Sequence, residues 1–238
     1  MNKIETEYSL SLQYELSCYT NRPDLVELTA DNVARVEFMI RNNSRYAGTN
    51  NQLATNWLEK FANALKGQPT QESYEEIVFE VVKGIDSTNS THINADGVGR
   101  EELTDRIIKI NKNLLYQYLK NPTKDDYELI KILSKKTHPV DPNKHARSNY
   151  SFATKFCHYT AFHLFESDPE QDNFSIYDSI VARKIRDYAD YYKIKMPNDI
   201  GCNYNSFITL VDDIIKASGD KISRNGFDHL LWYMNKIR

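Results

Sequence analysis

Three features of the chain predict an all-α fold. Apolar residues recur every three or four positions in stretch after stretch, which is the period of one buried helix face. Alternating runs bounded by hairpin turns are nearly absent, and the Asn225-Gly226 pair lacks strand-like flanks. Gly67, Gly84, Gly219 and Pro139 fall where the periodic stretches stop. About nine or ten helices are expected, forming one globular unit over 1–238 or two lobes of it.

The first twenty residues give mixed signals and suit a short helix or an arm. From Asp31, Val33, Val36, Phe38, Met39 and Ile40 share a broad helical face up to the polar Arg41-Asn-Asn-Ser break. A second helix fits Asn51 to Lys66, with Leu53, Trp57 and Phe61 inward and Gly67 as its stop. A third fits Glu72 to Lys83, carrying Tyr74, Ile77, Val78, Val81 and Val82, with Gly84 closing it. The loop from Gly84 to Gly99 contains His92-x-Asn94-x-Asp96-Gly97, which falls short of a calcium loop because its first ligand is wrong and position twelve is Leu103 instead of Glu. Glu101 to Leu119 reads as one long amphipathic helix through Leu103, Ile107, Ile110, Leu114 and Tyr118. Thr123 with Asp126 has the spacing of a capping box for a helix through Lys136, whose inner face is Leu129, Ile130 and Leu133. Pro139 and Pro142 end it. The last three helices start near Asp178, Ser206 and Gly226. They carry Ile180, Val181, Ile185 and Tyr188, then the stretch stopped by Gly219, then Leu230, Leu231, Trp232 and Met234.

With 238 residues and 27.7 kDa the chain can bury a full core. Its composition, 40% apolar and 26% charged, is that of an ordinary soluble protein. No apolar run approaches the roughly 20 residues needed to span a bilayer, and Met1-Asn-Lys-Ile-Glu does not resemble a signal peptide. No membrane association and a cytoplasmic location are therefore expected. Cys18, Cys157 and Cys202 are widely spaced with no Cys-x-x-Cys pair, and His158 and His163 fall on different helical faces, so neither a metal site nor any other cofactor is expected. A net charge of −3 argues against wholesale coating of nucleic acid. The charge is nevertheless uneven. From Lys131 to His158, Lys131, Lys135, Lys136, Lys144, Arg147 and Lys155 face the single Asp141, a local footprint that suits a phosphate backbone as well as a solvated face.

Function concentrates between Arg147 and Lys184. Ser151, or Asn149 before it, suits a helix N-cap and would place Lys155 near the first turn. Helical spacing then puts Phe152, Tyr159 and Phe162 beside the lysine stem. Burial among rings disfavours a charged ammonium, as does the positive end of the helix macrodipole, and a neutral amine is a nucleophile. Asp178 lies 23 residues on and follows Ser175 by three, a spacing that reads as a helix start with the carboxylate in or beside the first turn. The same residues also suit a plain structural role, a snorkelling lysine and an aspartate cap.

A helix, a basic connector, a helix with an inward lysine, and an aspartate opening the next helix together resemble the helix-hairpin-helix DNA glycosylase superfamily, specifically its bifunctional 8-oxoguanine glycosylase type. The resemblance covers roughly Thr123 to Tyr188, within a catalytic region set at 123–191, with Lys155 at the position of the nucleophilic lysine and Ile176-Tyr177-Asp178-Ser179 where the family has a short apolar segment ending in its aspartate. It implies a helix-hairpin-helix-like catalytic lobe, DNA that is damaged, modified or abasic as the partner, and base excision with AP lyase activity. The connector from Thr137 to Tyr150 departs from the family by lacking glycine. Phosphate contacts would then fall to Lys136, Lys144, His145 and Arg147, or to the amides opening the Lys155 helix.

Under that resemblance Lys155 attacks the sugar C1′ to form a Schiff base, and Asp178 offsets charge on the sugar or takes a proton. Phe152, Tyr159, Phe162 and Tyr177 line the pocket for the extruded base, with His158 as a proton shuttle or a helix-surface residue. Two other classes fit the sequence: a non-catalytic nucleic-acid-binding module, and a helical protein-interaction domain with a groove between Trp57 and Trp232.

Overall fold

The computed structural model describes residues 16–42, 49–89, 91–93, 98–137, 148–165 and 172–236. Among them are ten helices and one small hairpin. In chain order these are β1 (Cys18–Tyr19), β2 (Arg22–Val26), α1 (Ala30–Asn42), α2 (Thr49–Leu65), α3 (Tyr74–Asn89), α4 (Gly99–Ile108), α5 (Lys112–Lys120), α6 (Glu128–Ser134), α7 (Tyr150–Leu164), α8 (Ser179–Tyr191), α9 (Tyr204–Ser218) and α10 (Arg224–Lys236). No helix among the described residues is long and apolar enough to cross a membrane.

The fold is mostly helical, as expected, but not wholly so. β1 and β2 pair antiparallel, with Cys18 opposite Val26 and Tyr19 opposite Arg22. Pro23 is tolerated because a two-stranded ribbon leaves open edges where no ladder donor is needed. Leu25 and Val26 turn into the core, and Tyr188 of α8 donates its hydroxyl hydrogen to the Val26 carbonyl at 2.8 Å.

The helices pack in two groups. α2 packs on α3, α5 and α7, while α6 packs on α4, α5 and α7, around buried rings such as Phe61, Phe152 and Phe156. Each such ring contributes about 2–3 kcal/mol of burial. α10 packs on α1, α8 and α9. In this second group Gly226 permits close approach, since a Cβ there would lie 2.6 Å from Val33 Cγ1. Gly67 and Gly219 end α2 and α9 at φ of 74° and 79°, the left-handed stops that suit glycine.

Several boundaries differ from the sequence expectations for identifiable reasons. Gly84 does not stop α3: a Cβ there would lie 3.2 Å from Ala54 Cβ, so this glycine lets α2 and α3 approach, and the helix continues to Asn89. The long helix expected from Glu101 breaks at Asn111, whose side chain accepts from the Asn113 amide and starts α5. Thr123 and Asp126 form no capping box. Asp126 and Tyr127 instead take positive φ, and α6 runs only from Glu128 to Ser134. Phe38, Leu53 and Leu114 are exposed instead of inward. α9 and α10 each begin two residues early, the first capped by Asn203 and the second by Ser223.

An extended segment, 172–178, joins the groups, and nearly every residue in it is tied. The Asp172 carboxylate accepts from the Arg224 and Asn225 amides that open α10. Asn173 Nδ2 donates to the Lys120 carbonyl that ends α5 at 3.1 Å. The Phe174 carbonyl accepts from His158. Ser175 N–H donates to the Tyr204 hydroxyl at 2.7 Å, and that hydroxyl donates back to the Ser175 carbonyl at 2.9 Å. Tyr204→Phe therefore orphans a buried backbone amide. It is expected to cost about 1–3 kcal/mol in urea or guanidinium unfolding, and an unchanged midpoint would show that water replaces the hydroxyl.

Candidate active site

Lys155 lies in the second turn of α7 rather than near the first, because the helix opens at Tyr150. The macrodipole at the start of α7 therefore acts on it more weakly than expected. Asn149 stands at the cap position without capping. Its Nδ2 donates to the Lys135 carbonyl at 2.8 Å, tying the start of α7 to the end of α6.

The lysine is buried with its ammonium between two acceptors. Nζ donates to the Asn89 carbonyl at 3.1 Å, and Asp178 Oδ2 lies 3.1 Å away. Asn89 is the last residue of α3, where unpaired carbonyls and the negative end of the macrodipole suit a cation. Sequence reasoning missed Asn89 because Gly84 read as the end of that helix. The same Asn89 accepts the Tyr159 hydroxyl hydrogen on Oδ1 at 2.9 Å, so one residue holds both the amine and the ring one turn along α7.

Asp178 is itself the N-cap of α8, three residues later than a capping box started by Ser175 would place it. Oδ1 accepts from the Ile180 and Val181 amides at 2.9 and 3.0 Å. Oδ2 is left to face Lys155. The alignment of the two residues comes from their chain neighbours. Thr154 Oγ1 accepts from the Tyr177 amide at 3.0 Å and lies 3.3 Å from the Tyr177 carbonyl, so the residue before the lysine pins the residue before the aspartate.

The remaining expected pocket residues divide. Tyr159 is half-buried beside the lysine and, chiefly through burial, its phenol is raised in pKa. Phe152 is fully buried and stacks on Phe156 with centroids 6.0 Å apart, so it belongs to the core instead of a pocket wall. Tyr177 packs between Tyr150 and Phe207, at centroid distances of 5.0 and 5.1 Å, under the Thr154 contact. Phe162 is 40% exposed and lies two turns from Lys155, about 10 Å along the helix, so the structure does not bring it to the pair. His158 is neither a surface residue nor placed as a shuttle. It is buried, its Nδ1 lies 2.9 Å from the Phe174 carbonyl, and burial pushes its pKa down to about 4. A carbonyl can only accept, so the neutral ring carries its proton on Nδ1.

Of the expected DNA-contacting residues, Lys144, His145 and Arg147 lie outside the described residues. Lys136 is exposed just beyond α6, where Arg106 grips its carbonyl at 2.7 Å and that of Lys135 at 2.6 Å. Trp57 sits under the Lys60 ammonium on α2, and Trp232 packs against the core from α10. These helices share no extensive contact that would form a groove between the two rings.

One further residue gave no signal in the sequence. Asp228 on α10 is half-buried. Burial pushes its pKa up to about 7; His229 and Lys155 oppose the rise, and Asp178 and Asp172 add to it.

No family model, curated protein or solved structure matches this chain.

Two stability outcomes follow from this geometry. Asp178→Ala removes a cap and strands a buried ammonium, so it should cost about 3–5 kcal/mol. Lys155→Met leaves the carboxylate bonded to two amides and should cost less, about 1–3 kcal/mol. Equal losses in denaturant unfolding would count against the two-sided role of Asp178. For Asp228, a folded pKa of about 7 against the ordinary 3.8 means that the folded state keeps a proton which the unfolded state has released between those values. Stability from this group therefore falls as pH rises from about 4 to about 7 and is level above. Asp228→Asn should gain on the wild type between pH 5 and pH 8, on the order of 1–3 kcal/mol once partial exposure is allowed for, and parallel pH curves would refute it.

Proposed function

We propose that the chain is a DNA glycosylase with AP lyase activity, in which Lys155 is the Schiff-base nucleophile and Asp178 its charge partner. The observation that carries this reading is the buried Lys155–Asp178 pair, 3.1 Å apart. Removing an ammonium and a carboxylate from water costs several kcal/mol per ion, and such a pair is commonly no better for stability than apolar side chains of the same size. Buried, paired titratable groups are therefore candidates for chemistry.

The chemistry that suits the pair is amine attack at an electrophilic sugar carbon. Asp178 Oδ2 is placed to take the proton that Lys155 must lose, and its Oδ1 bonds keep the carboxylate fixed while it does so. Once the amine is joined to C1′ the sugar gains positive charge, and a preoriented carboxylate within hydrogen-bonding distance stabilises it without reorganisation. The DNA substrate class is drawn from the resemblance of 123–191 to helix-hairpin-helix glycosylases and from the basic excess between Lys131 and His158. In this reading α6 and α7 flank the connector that meets the phosphates, and half-buried Tyr159 borders the base recess.

Borohydride reduction in the presence of a duplex carrying an abasic site should give a covalent protein–DNA adduct that resists denaturing electrophoresis. Lys155→Gln should abolish the adduct while keeping helical circular dichroism. Asp178→Asn retains a capping side chain and should slow adduct formation by about 10²-fold or more. An adduct of undiminished yield from Lys155→Gln would remove the lysine from the mechanism.

A further inference from the structure

We propose that Tyr159 and Asn89 are positioning residues for the Lys155 amine, which they aim at the electrophilic carbon from one direction; this rests on the reading of Lys155 as a nucleophile. Asn89 is the meeting point. Its backbone carbonyl accepts from Lys155 Nζ at 3.1 Å, and its side-chain Oδ1 accepts the Tyr159 hydroxyl hydrogen at 2.9 Å. Lys155 and Tyr159 are one turn apart on the same face of α7, so a single residue of α3 bonds both.

The last residue of a helix is where fraying begins, because its carbonyl has no partner within the helix. Here the Asn89 side chain is bound at both ends. Tyr159 holds Oδ1, while Nδ2 donates to Thr88 Oγ1 at 2.8 Å, and that hydroxyl donates to the Gly84 carbonyl one turn back at 2.8 Å. With its side-chain amide fixed, the residue keeps its backbone carbonyl on Nζ. Tyr159 is itself a steady donor. Its ring lies edge-on to His158 with centroids 5.4 Å apart, and His158 is bonded to the Phe174 carbonyl at 2.9 Å.

A lysine nucleophile needs such support because its stem is long and flexible, with rotamers that must be ordered before the amine can attack. Two fixed oxygens, the Asn89 carbonyl and Asp178 Oδ2 at 3.1 Å, come from the ends of different helices and occupy two of the three N–H directions on Nζ. Among the described residues no other oxygen bonds Nζ, so the third direction is the one open to a carbon electrophile. Asn89 and Tyr159 exchange no proton in this role. They act through the geometry of the amine, where a misplacement of about 1 Å can cost about 10²-fold in rate.

Single-turnover borohydride trapping of the full chain on a duplex carrying an abasic site, followed across DNA concentration, separates positioning from binding. Tyr159→Phe keeps the ring and should lower the saturating trapping rate by about 10-fold, with the half-saturating DNA concentration within about 2-fold of wild type. Thr88→Val, which frees the other end of the Asn89 side chain without touching α7, should act in the same way and carries the test if Tyr159→Phe fails to fold. Asn89→Ala should lower the rate at least as far. Adding Tyr159→Phe to Asn89→Ala should then change nothing further, because a residue that acts through Asn89 has nothing left to act on. A wild-type saturating rate from either Tyr159→Phe or Thr88→Val overturns the proposal. So does a Tyr159→Phe loss that persists in full in the Asn89→Ala background, or one confined to the half-saturating concentration, since either makes Tyr159 a DNA contact instead. Absence of trapping by the wild-type protein brings down the lysine reading itself, and this role with it.

Discussion

Asp178 must satisfy two demands with one side chain: the free amides opening α8 and the ammonium of Lys155. A carboxylate has two oxygens, and the structure assigns one to each task. That division requires the backbone at 177–178 to be fixed against α7. Thr154 supplies the fixing contact; Tyr204 and His158 reach the segment from α9 and α7, while its own Asn173 and Asp172 bond to the end of α5 and the start of α10. The ion pair is thus not an isolated contact but the point at which the second helix group is registered on the first.

This registration also explains why so much polar hardware is buried around a short extended segment. A chain crossing between two apolar groups exposes amides and carbonyls that neither group's helices can pair, and each unpaired group costs about 1–3 kcal/mol. The side chains of Tyr204, Thr154 and His158 serve in place of a strand partner. His158 shows the consequence. Bound to the Phe174 carbonyl, with its pKa pushed by burial down to about 4, it is a structural spacer between α7 and the segment.

Local periodicity made most of the helices legible in the sequence, along with the glycine stops at Gly67 and Gly219, because those depend on contacts within a few residues. Lys155 and Asp178 were also legible, through burial at helical spacing for one and a helix start for the other. The features that failed were those in which a tertiary contact overrides a local signal. Gly84 looks like a terminator until Ala54 of another helix is placed 3.2 Å from its missing Cβ. Ser175 looks like a cap until Tyr204, 29 residues on, claims its backbone. Phe162 follows the helical stripe from Lys155, yet its ring is exposed while Ala161 and Leu164 on either side of it are buried. The β1–β2 ribbon is too short to show alternation at all.

The same overriding contacts created the site. Had α3 stopped at Gly84, no carbonyl would stand where Asn89 meets Lys155, and the ammonium would have a single acceptor. Because it continues, the lysine lies between a helix C-terminus and a helix N-cap. The Asp178 carboxylate also keeps its two amides. Both contacts thus depend on the tertiary placement of a helix end, which no local pattern around Lys155 encodes.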